Sequence, residues 1–105
     1  MDFARPEYLV TTDWLAAHLD SSHVRVLDVT AKLNGRLENR AEAECYREGH
    51  IPGSLFFDSA AGKGVLSNQS AELPWMWPTL DEVGAALNAV GVGPDTKVVL
   101  VARTP

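Results

Sequence analysis

An uninterrupted apolar run near the carboxyl end of the chain, Val98-Val99-Leu100-Val101-Ala102 after Lys97, places the strongest constraint on the fold. β-branched residues favour a strand, and the absence of polar alternation is typical of a parallel strand that is covered on both faces. Three more segments have strand character, namely residues 8–10, 24–29 and 54–58.

Helical signals fall between these strands. The strongest lie at Thr79 and Glu82, which have capping-box spacing, and at Gly91, which supplies a stop. Between them, apolar residues at i, i+4 and i+7 share one helix face: Val83, Leu87 and Val90. The alternation of strands and helices predicts an α/β layer structure with a mostly parallel sheet.

Two further helices have weaker signals. Thr12 is placed to cap a helix that contains Trp14 and Leu15, while Asn39 and Glu42 resemble a capping box. That second helix is predicted to end near Gly49.

Composition limits the function classes. The chain has 105 residues, 46% hydrophobic, which fits a single globular domain over residues 1–105. Its formal net charge is −5 and its basic residues are scattered, which argues against a nucleic-acid partner. No secretory signal or apolar stretch of about 18 residues is present, so we expect no membrane partner and a cytoplasmic location.

The most informative stretch is Glu48-Gly49-His50-Ile51-Pro52-Gly53-Ser54-Leu55-Phe56-Phe57-Asp58. Gly49 can adopt the left-handed conformation that ends a helix, and Pro52 fixes φ in a tight turn. Gly53 then allows the backbone to enter a strand. His50 could act as a base, although a hydrogen-bonded structural role is expected at such a turn.

This stretch resembles the Gly-His-Ile-Pro-Gly-Ala signature of rhodanese domains. Leu73-Pro74-Trp75-Met76-Trp77-Pro78 is similar to the Leu-Pro-His-Met-Leu-Pro segment in the N-terminal half of tandem thiosulfate and 3-mercaptopyruvate sulfurtransferases, with Trp75 and Trp77 as departures. The resemblance covers nearly the whole chain. It implies a three-layer α/β/α domain whose five parallel strands are ordered 3-2-4-5-1, here truncated after the fourth strand.

The resemblance also implies sulfur transfer. A cysteine thiolate in the loop after the fourth strand takes a sulfane sulfur from thiosulfate or 3-mercaptopyruvate, as a persulfide, and passes it to a thiophilic acceptor. Here that strand leads to Ala102-Arg103-Thr104-Pro105, with no cysteine. The chain is therefore expected to be a non-catalytic N-terminal half without a cofactor, whose partners are a second rhodanese domain and a small anionic sulfur donor.

Several residues are candidates for the site. Arg36 and Arg40 follow the second predicted strand and could hold an anionic donor, although surface or interdomain salt bridges are an open alternative. Asp28 and Asp58 end strands, where we expect hydrogen bonds that anchor loops and no acid pair. Cys45 is the one thiol, and its acidic neighbours disfavour a thiolate, so we expect a structural role.

Other functions are less well supported. The spacings of histidines and Cys45 match no zinc pattern, so no metal is expected. A dual-specificity phosphatase of the same fold would also need a cysteine loop after the fourth strand. A non-catalytic rhodanese-like interaction or regulatory module stays open as the alternative function.

Overall fold

The computed structural model describes residues 6–36, 38–58 and 78–103. Within these ranges a small parallel sheet contains β1 (Val24–Asp28), β2 (Leu55–Phe56) and β3 (Lys97–Val101) in the order β2-β1-β3. β1 is central, as the resemblance implied for the strands at these positions. The predicted α/β class with a small parallel sheet is confirmed.

Two α-helices accompany the sheet, α1 (Thr12–His18) and α2 (Leu80–Ala89). The cap of α1 is Thr11, one residue before the predicted Thr12, and its hydroxyl accepts a 3.0 Å hydrogen bond from the Trp14 amide. The capping box of α2 is confirmed, because Thr79 and Glu82 each satisfy an amide of the other. Gly91 follows α2 with a φ of 83°, as its predicted stop role requires.

The helix predicted from Asn39 to Gly49 is shorter than expected, and its first turn lacks the predicted side-chain cap. It is a π-helix at Glu42–Tyr46, preceded by Ala41, which makes no side-chain cap bond. The predicted capping box is therefore wrong, since the Asn39 side chain accepts from the amides of Lys32 and Ala41 and not from that of Glu42.

In the signature stretch (residues 48–58), the prediction of a left-handed Gly49 is wrong. Gly53, at φ 79°, is left-handed and Gly49 is not. The Ser54 amide donates to the Ile51 carbonyl over 2.9 Å, which closes a turn with Pro52 second and Gly53 third. That third position of a type II turn requires a positive φ, whereas the preceding helix ends without one.

The predicted strand at residues 8–10 is not formed. Pro6–Tyr8 is a 3-10 turn, and Leu9 and Val10 follow it without pairing. Pro6 has a fixed φ that suits a helical turn, and a strand needs a neighbour for its backbone groups. The segment instead borders a groove of about 520 Å³ whose other wall is β3.

The expectation that β3 is covered on both faces is wrong as well. Val99 is 7% exposed, while Val98 and Leu100 are 36% and 62% exposed. Successive strand residues face opposite sides of a sheet, so one face of β3 is buried and the other is open. A continuous apolar run therefore does not by itself show that both faces are covered.

The core lies on the α1 face of the sheet. Leu15 of α1 packs with Val24 and Val26 of β1 and Val99 of β3, and Trp14, Leu19, Ile51 and Val101 pack around this cluster. Burying each such aliphatic side chain contributes about 1.5–3 kcal/mol. On the opposite face of β1, Leu27 is only 1% exposed, so the central strand is closed on both sides there.

Candidate functional site

The three strands end level with one another. In register, Asp28 of β1 lies opposite Phe56 of β2 and opposite Val101 of β3. Because all the strands are parallel, the residues that follow them meet at one edge of the sheet, which we call the carboxyl edge. Ligands of open α/β sheets bind outside this edge. Any binding function is therefore best sought among the loops that leave β1, β2 and β3.

A chain of hydrogen bonds links the loops after β1 and β3. The buried Asp28 carboxylate accepts a 3.0 Å hydrogen bond from the Thr30 amide, and the Thr30 hydroxyl accepts one of 3.2 Å from the Arg103 amide. The Arg103 guanidinium donates to the backbone carbonyl of Cys45. Asp28 is thus a loop-anchoring carboxylate, and Arg103 fastens the loop after β3 to two other segments.

The polar excursion after β1 forms a small hairpin, which we call the arginine hairpin (residues 32–40). Its two sides pair through the Arg40 amide and the Lys32 carbonyl, at 2.7 Å, and through an antiparallel bridge between Leu33 and Asn39. Arg36 lies in the turn and Arg40 at the base, and both are exposed. Neither side chain makes an ion pair or hydrogen bond with the described residues. Both guanidinium groups can therefore donate hydrogen bonds to an anion.

Asp58 connects the arginine hairpin to the end of β2. The amide Nδ2 of Asn39 donates a 3.0 Å hydrogen bond to Oδ1 of Asp58, and both side chains are partly buried. Asp58 thus anchors a loop, as Asp28 does. Among the described residues, the Asp28 carboxylate bonds the Thr30 amide and the Asp58 carboxylate bonds the Asn39 side chain.

The signature stretch supports the entry to β2. The His50 ring stacks on Tyr46 at 3.7 Å between centroids, and its Nδ1 lies 2.7 Å from the Tyr46 carbonyl. The Tyr46 hydroxyl donates to the Ser54 carbonyl over 2.6 Å, immediately after the turn at Pro52 and Gly53. These contacts give His50 a positioning role in the turn, with Gly49 beside it as an exposed linker.

Cys45 is not placed to react at the carboxyl edge. It lies in the π-helix, 5% exposed, as a free thiol. The residues that follow β3 are Ala102 and Arg103, so the start of that loop offers no sulfur nucleophile. In the described ranges, no three His, Cys, Asp or Glu side chains are grouped as metal ligands would be.

Two residues of this edge were not predicted from sequence. The residue pattern around Arg103 does not predict its hydrogen bonds, although a position directly after a parallel strand is typical of residues at a ligand-binding edge. Asn39 was interpreted only as a helix cap, because its contact with Asp58 spans 19 positions. Trp75 and Trp77, with the rest of residues 59–77, lie outside the described residues. No helix of the described residues is long and apolar enough to cross a membrane.

No protein-family model matches the sequence. Curated relatives do: the chain is 34% identical over 89% of its length to 3-mercaptopyruvate sulfurtransferase of Escherichia coli K12, of which it covers 31%. It is 32% identical over 90% of its length to the mitochondrial thiosulfate/3-mercaptopyruvate sulfurtransferase 1 of Arabidopsis thaliana, and covers 23% of that protein. Against bovine thiosulfate sulfurtransferase it is 35% identical over 88% of its length, and covers 30%.

The fold agrees with these relatives. The crystal structure of SseA from Escherichia coli, described as showing the rhodanese fold of 3-mercaptopyruvate sulfurtransferases, superimposes with a TM-score of 0.70 and 32% identity. The match covers 91% of this chain and 35% of that one. The chain therefore spans about a quarter to a third of the relatives' length. It has the rhodanese fold, and over about nine-tenths of its own length it is similar to rhodanese-type sulfurtransferases.

Proposed function

We propose that this chain is the non-catalytic N-terminal half of a tandem sulfurtransferase, which moves sulfane sulfur from thiosulfate or 3-mercaptopyruvate to a thiophilic acceptor. The persulfide would form on a cysteine of a second rhodanese domain. Supporting this, the relatives named as sulfurtransferases are three to four times as long as the part matched here, as coverages of 31% and 23% indicate. The single observation that carries the non-catalytic role is that β3 leads into Ala102-Arg103 with no cysteine.

The chemistry explains why that observation matters. A thiolate attacks the outer sulfur of thiosulfate, the sulfur–sulfur bond breaks and sulfite leaves; an acceptor such as cyanide then removes the outer sulfur of the persulfide. The nucleophile must be a thiolate that reaches the donor. Cys45 is 5% exposed and lies within a helix, so the donor cannot approach it in the folded chain.

In this proposal the arginine hairpin helps to hold the anionic donor. Arg36 and Arg40 are exposed and without an ion pair among the described residues, so their donors are available for a sulfonate or carboxylate. They extend from the loop that leaves β1 at the carboxyl edge. The second rhodanese domain would supply the nucleophile beside them.

A turnover assay tests the proposal. The 105-residue chain should not convert thiosulfate and cyanide to thiocyanate above the background rate, and mass spectrometry should find no extra sulfur on Cys45. The variant Cys45→Ser should give the same result. Turnover that disappears in Cys45→Ser would show that the chain itself is catalytic and would overturn the proposal.

The alternative is a non-catalytic rhodanese-like interaction module. One observation favours it, the apolar groove of about 520 Å³ between residues 7–12 and β3, where Leu9 and Leu100 are more than half exposed. Thiosulfate binding separates the two functions. A thiosulfate complex that weakens in Arg36→Ala and Arg40→Ala supports the sulfurtransferase half, and absence of binding favours the interaction module.

A further inference from the structure

We infer that Asn39 is a positioning residue, whose side-chain amide holds the arginine hairpin, which carries Arg36 and Arg40, against Asp58 at the carboxyl edge of the sheet. The inference rests on the proposed function, in which these two arginines bind the anionic sulfur donor. It assigns a role to a residue that does not itself contact the donor.

The orientation of the Asn39 amide follows from its neighbours. Its Oδ1 is 2.9 Å from the Lys32 amide nitrogen and 3.0 Å from the Ala41 amide nitrogen. Backbone N–H groups only donate, so the oxygen must face them and the nitrogen Nδ2 must face Asp58. The donation to Asp58 Oδ1 over 3.0 Å is therefore fixed by the loop.

The arginine hairpin depends on polar contacts because it has little core of its own. Residues 31–36 are all exposed, and Asn34 orders the turn by accepting from the Arg36 amide at 2.8 Å and the Glu38 amide at 3.0 Å. These bonds fix the shape of the turn. They do not fix the angle at which it leaves the sheet.

Besides the local bond that Asn39 accepts from the Ala41 amide, two side-chain contacts join the arginine hairpin to the surrounding described residues. One is the ion pair between Lys32 and Glu44, 3.8 Å long with both side chains almost half exposed. Such an exposed pair contributes little, since water and salt screen it. The other is the partly buried bond from Asn39 to Asp58, a hydrogen bond to a charged acceptor, which is the stronger kind.

A charge swap tests the inference. Asn39→Asp keeps an oxygen for the two backbone amides but places a second carboxylate against Asp58, so the contact becomes repulsive. In the double variant Asn39→Asp/Asp58→Asn the donor and acceptor are exchanged and an N–H···O bond returns. Asp58→Asn alone keeps a neutral partner for Asn39. Asn34→Asp is the matched control, because it adds the same charge to the same hairpin away from Asp58.

The measurement is titration of each 105-residue variant with thiosulfate, followed by the amide NMR signals of the arginine hairpin. We expect Asn39→Asp to raise the thiosulfate Kd about tenfold, the scale for losing a charged hydrogen bond. The double variant Asn39→Asp/Asp58→Asn should have a thiosulfate Kd less than about twofold above that of Asp58→Asn alone, because the hydrogen bond is restored. Arg36→Ala and Arg40→Ala are titrated alongside.

The outcomes separate the two proposals. If the arginine variants bind weakly while Asn39→Asp binds like Asn34→Asp, Asn39 has no positioning role and the proposed anion site stands. If Asn39→Asp is weak but the double variant is not rescued, the contact with Asp58 is not the cause and the inference is overturned. If both arginine variants bind thiosulfate as the unchanged chain does, the proposed anion site itself fails.

Discussion

Arg103, directly after β3, donates a guanidinium hydrogen bond to the backbone carbonyl of Cys45, a residue 58 positions earlier in the chain. Its own amide donates to the Thr30 hydroxyl over 3.2 Å. One residue therefore joins the end of the last described strand to the π-helix and to the loop after β1. These two hydrogen bonds lie at the carboxyl edge, at the position where the cysteine loop of an active rhodanese-type domain would begin.

Removing the Arg103 guanidinium should lower the free energy of unfolding. We expect Arg103→Ala to cost about 1 kcal/mol, below the usual range for a charged hydrogen bond because the side chain is exposed. Urea denaturation followed by circular dichroism measures the change. Arg47→Ala is the control, since Arg47 is also exposed and its side chain has no partner among the described residues; it should stay within about 0.5 kcal/mol. Equal losses in both variants would contradict the role of the contact.

Ser54 lies at the position where the rhodanese signature has alanine. We expect its hydroxyl group to lower the free energy of unfolding. The residue is 2% exposed, and its Oγ has no hydrogen-bond partner in the described part of the structure. An unpaired buried hydroxyl costs about 1–3 kcal/mol, so Ser54→Ala should raise the free energy of unfolding by about 1 kcal/mol. The same denaturation experiment checks it.

The control for Ser54 is Ser21→Ala. The Ser21 hydroxyl accepts a 3.2 Å hydrogen bond from the His23 amide, so its removal should lower stability by roughly 0.5 kcal/mol. The two serines are thus expected to respond with opposite signs. A loss of stability in Ser54→Ala would show that its hydroxyl is satisfied after all.

Replacing two glycines by alanine, one inside α2 and one just after it, should change the free energy of unfolding in opposite directions. Gly84 lies inside α2, and a methyl group added there would meet nothing within 4 Å, so Gly84→Ala should stabilise by roughly 0.5–1 kcal/mol. Gly91 has a φ of 83°, and a Cβ there would lie 2.8 Å from the Arg25 side chain. Gly91→Ala should destabilise by at least about 1 kcal/mol. Thermal unfolding of both variants measures the difference, and equal shifts would contradict it.

The open edge of β3 should make the isolated chain associate. Among the described residues no strand pairs with its outer edge, and Leu100, on the open face of the same strand, is 62% exposed. Unpaired apolar edges are templates for another strand. Size-exclusion chromatography with light scattering should therefore show dimers or larger species whose fraction rises with concentration.

The variant Leu100→Lys should shift this population towards monomer, because a charge on an edge strand opposes pairing. Leu80→Lys provides the control, since Leu80 is 90% exposed but lies at the start of α2. Amide exchange should be slowest in β1, which has a neighbour on each side, and fast at Leu9. A monomer at all concentrations would contradict the expected association, and strong protection at Leu9 would contradict the expected order of amide exchange.

Local sequence signals were sufficient to predict two of the strands and the ends of one helix. β1 and β3 were predicted within a residue of their bounds, and the capping box at Thr79 with the stop at Gly91 was predicted correctly. These features arise from interactions within a few residues, such as β-branching, a hydroxyl beside a helix amide, or a glycine after the last turn. The parallel α/β class follows from their order along the chain.

The remaining features were decided by contacts between distant segments. The Asn39–Asp58, Arg103–Cys45 and Arg103–Thr30 bonds span 19, 58 and 73 positions, so no local pattern contains them. Residues 8–10 have strand composition but do not pair with a strand, and Leu100 lies in an apolar run but stays exposed. Sequence by itself determined which segments favour a strand or helix. Only the tertiary structure decided which backbone groups find partners and which side chains are covered, because both depend on neighbours brought together by folding.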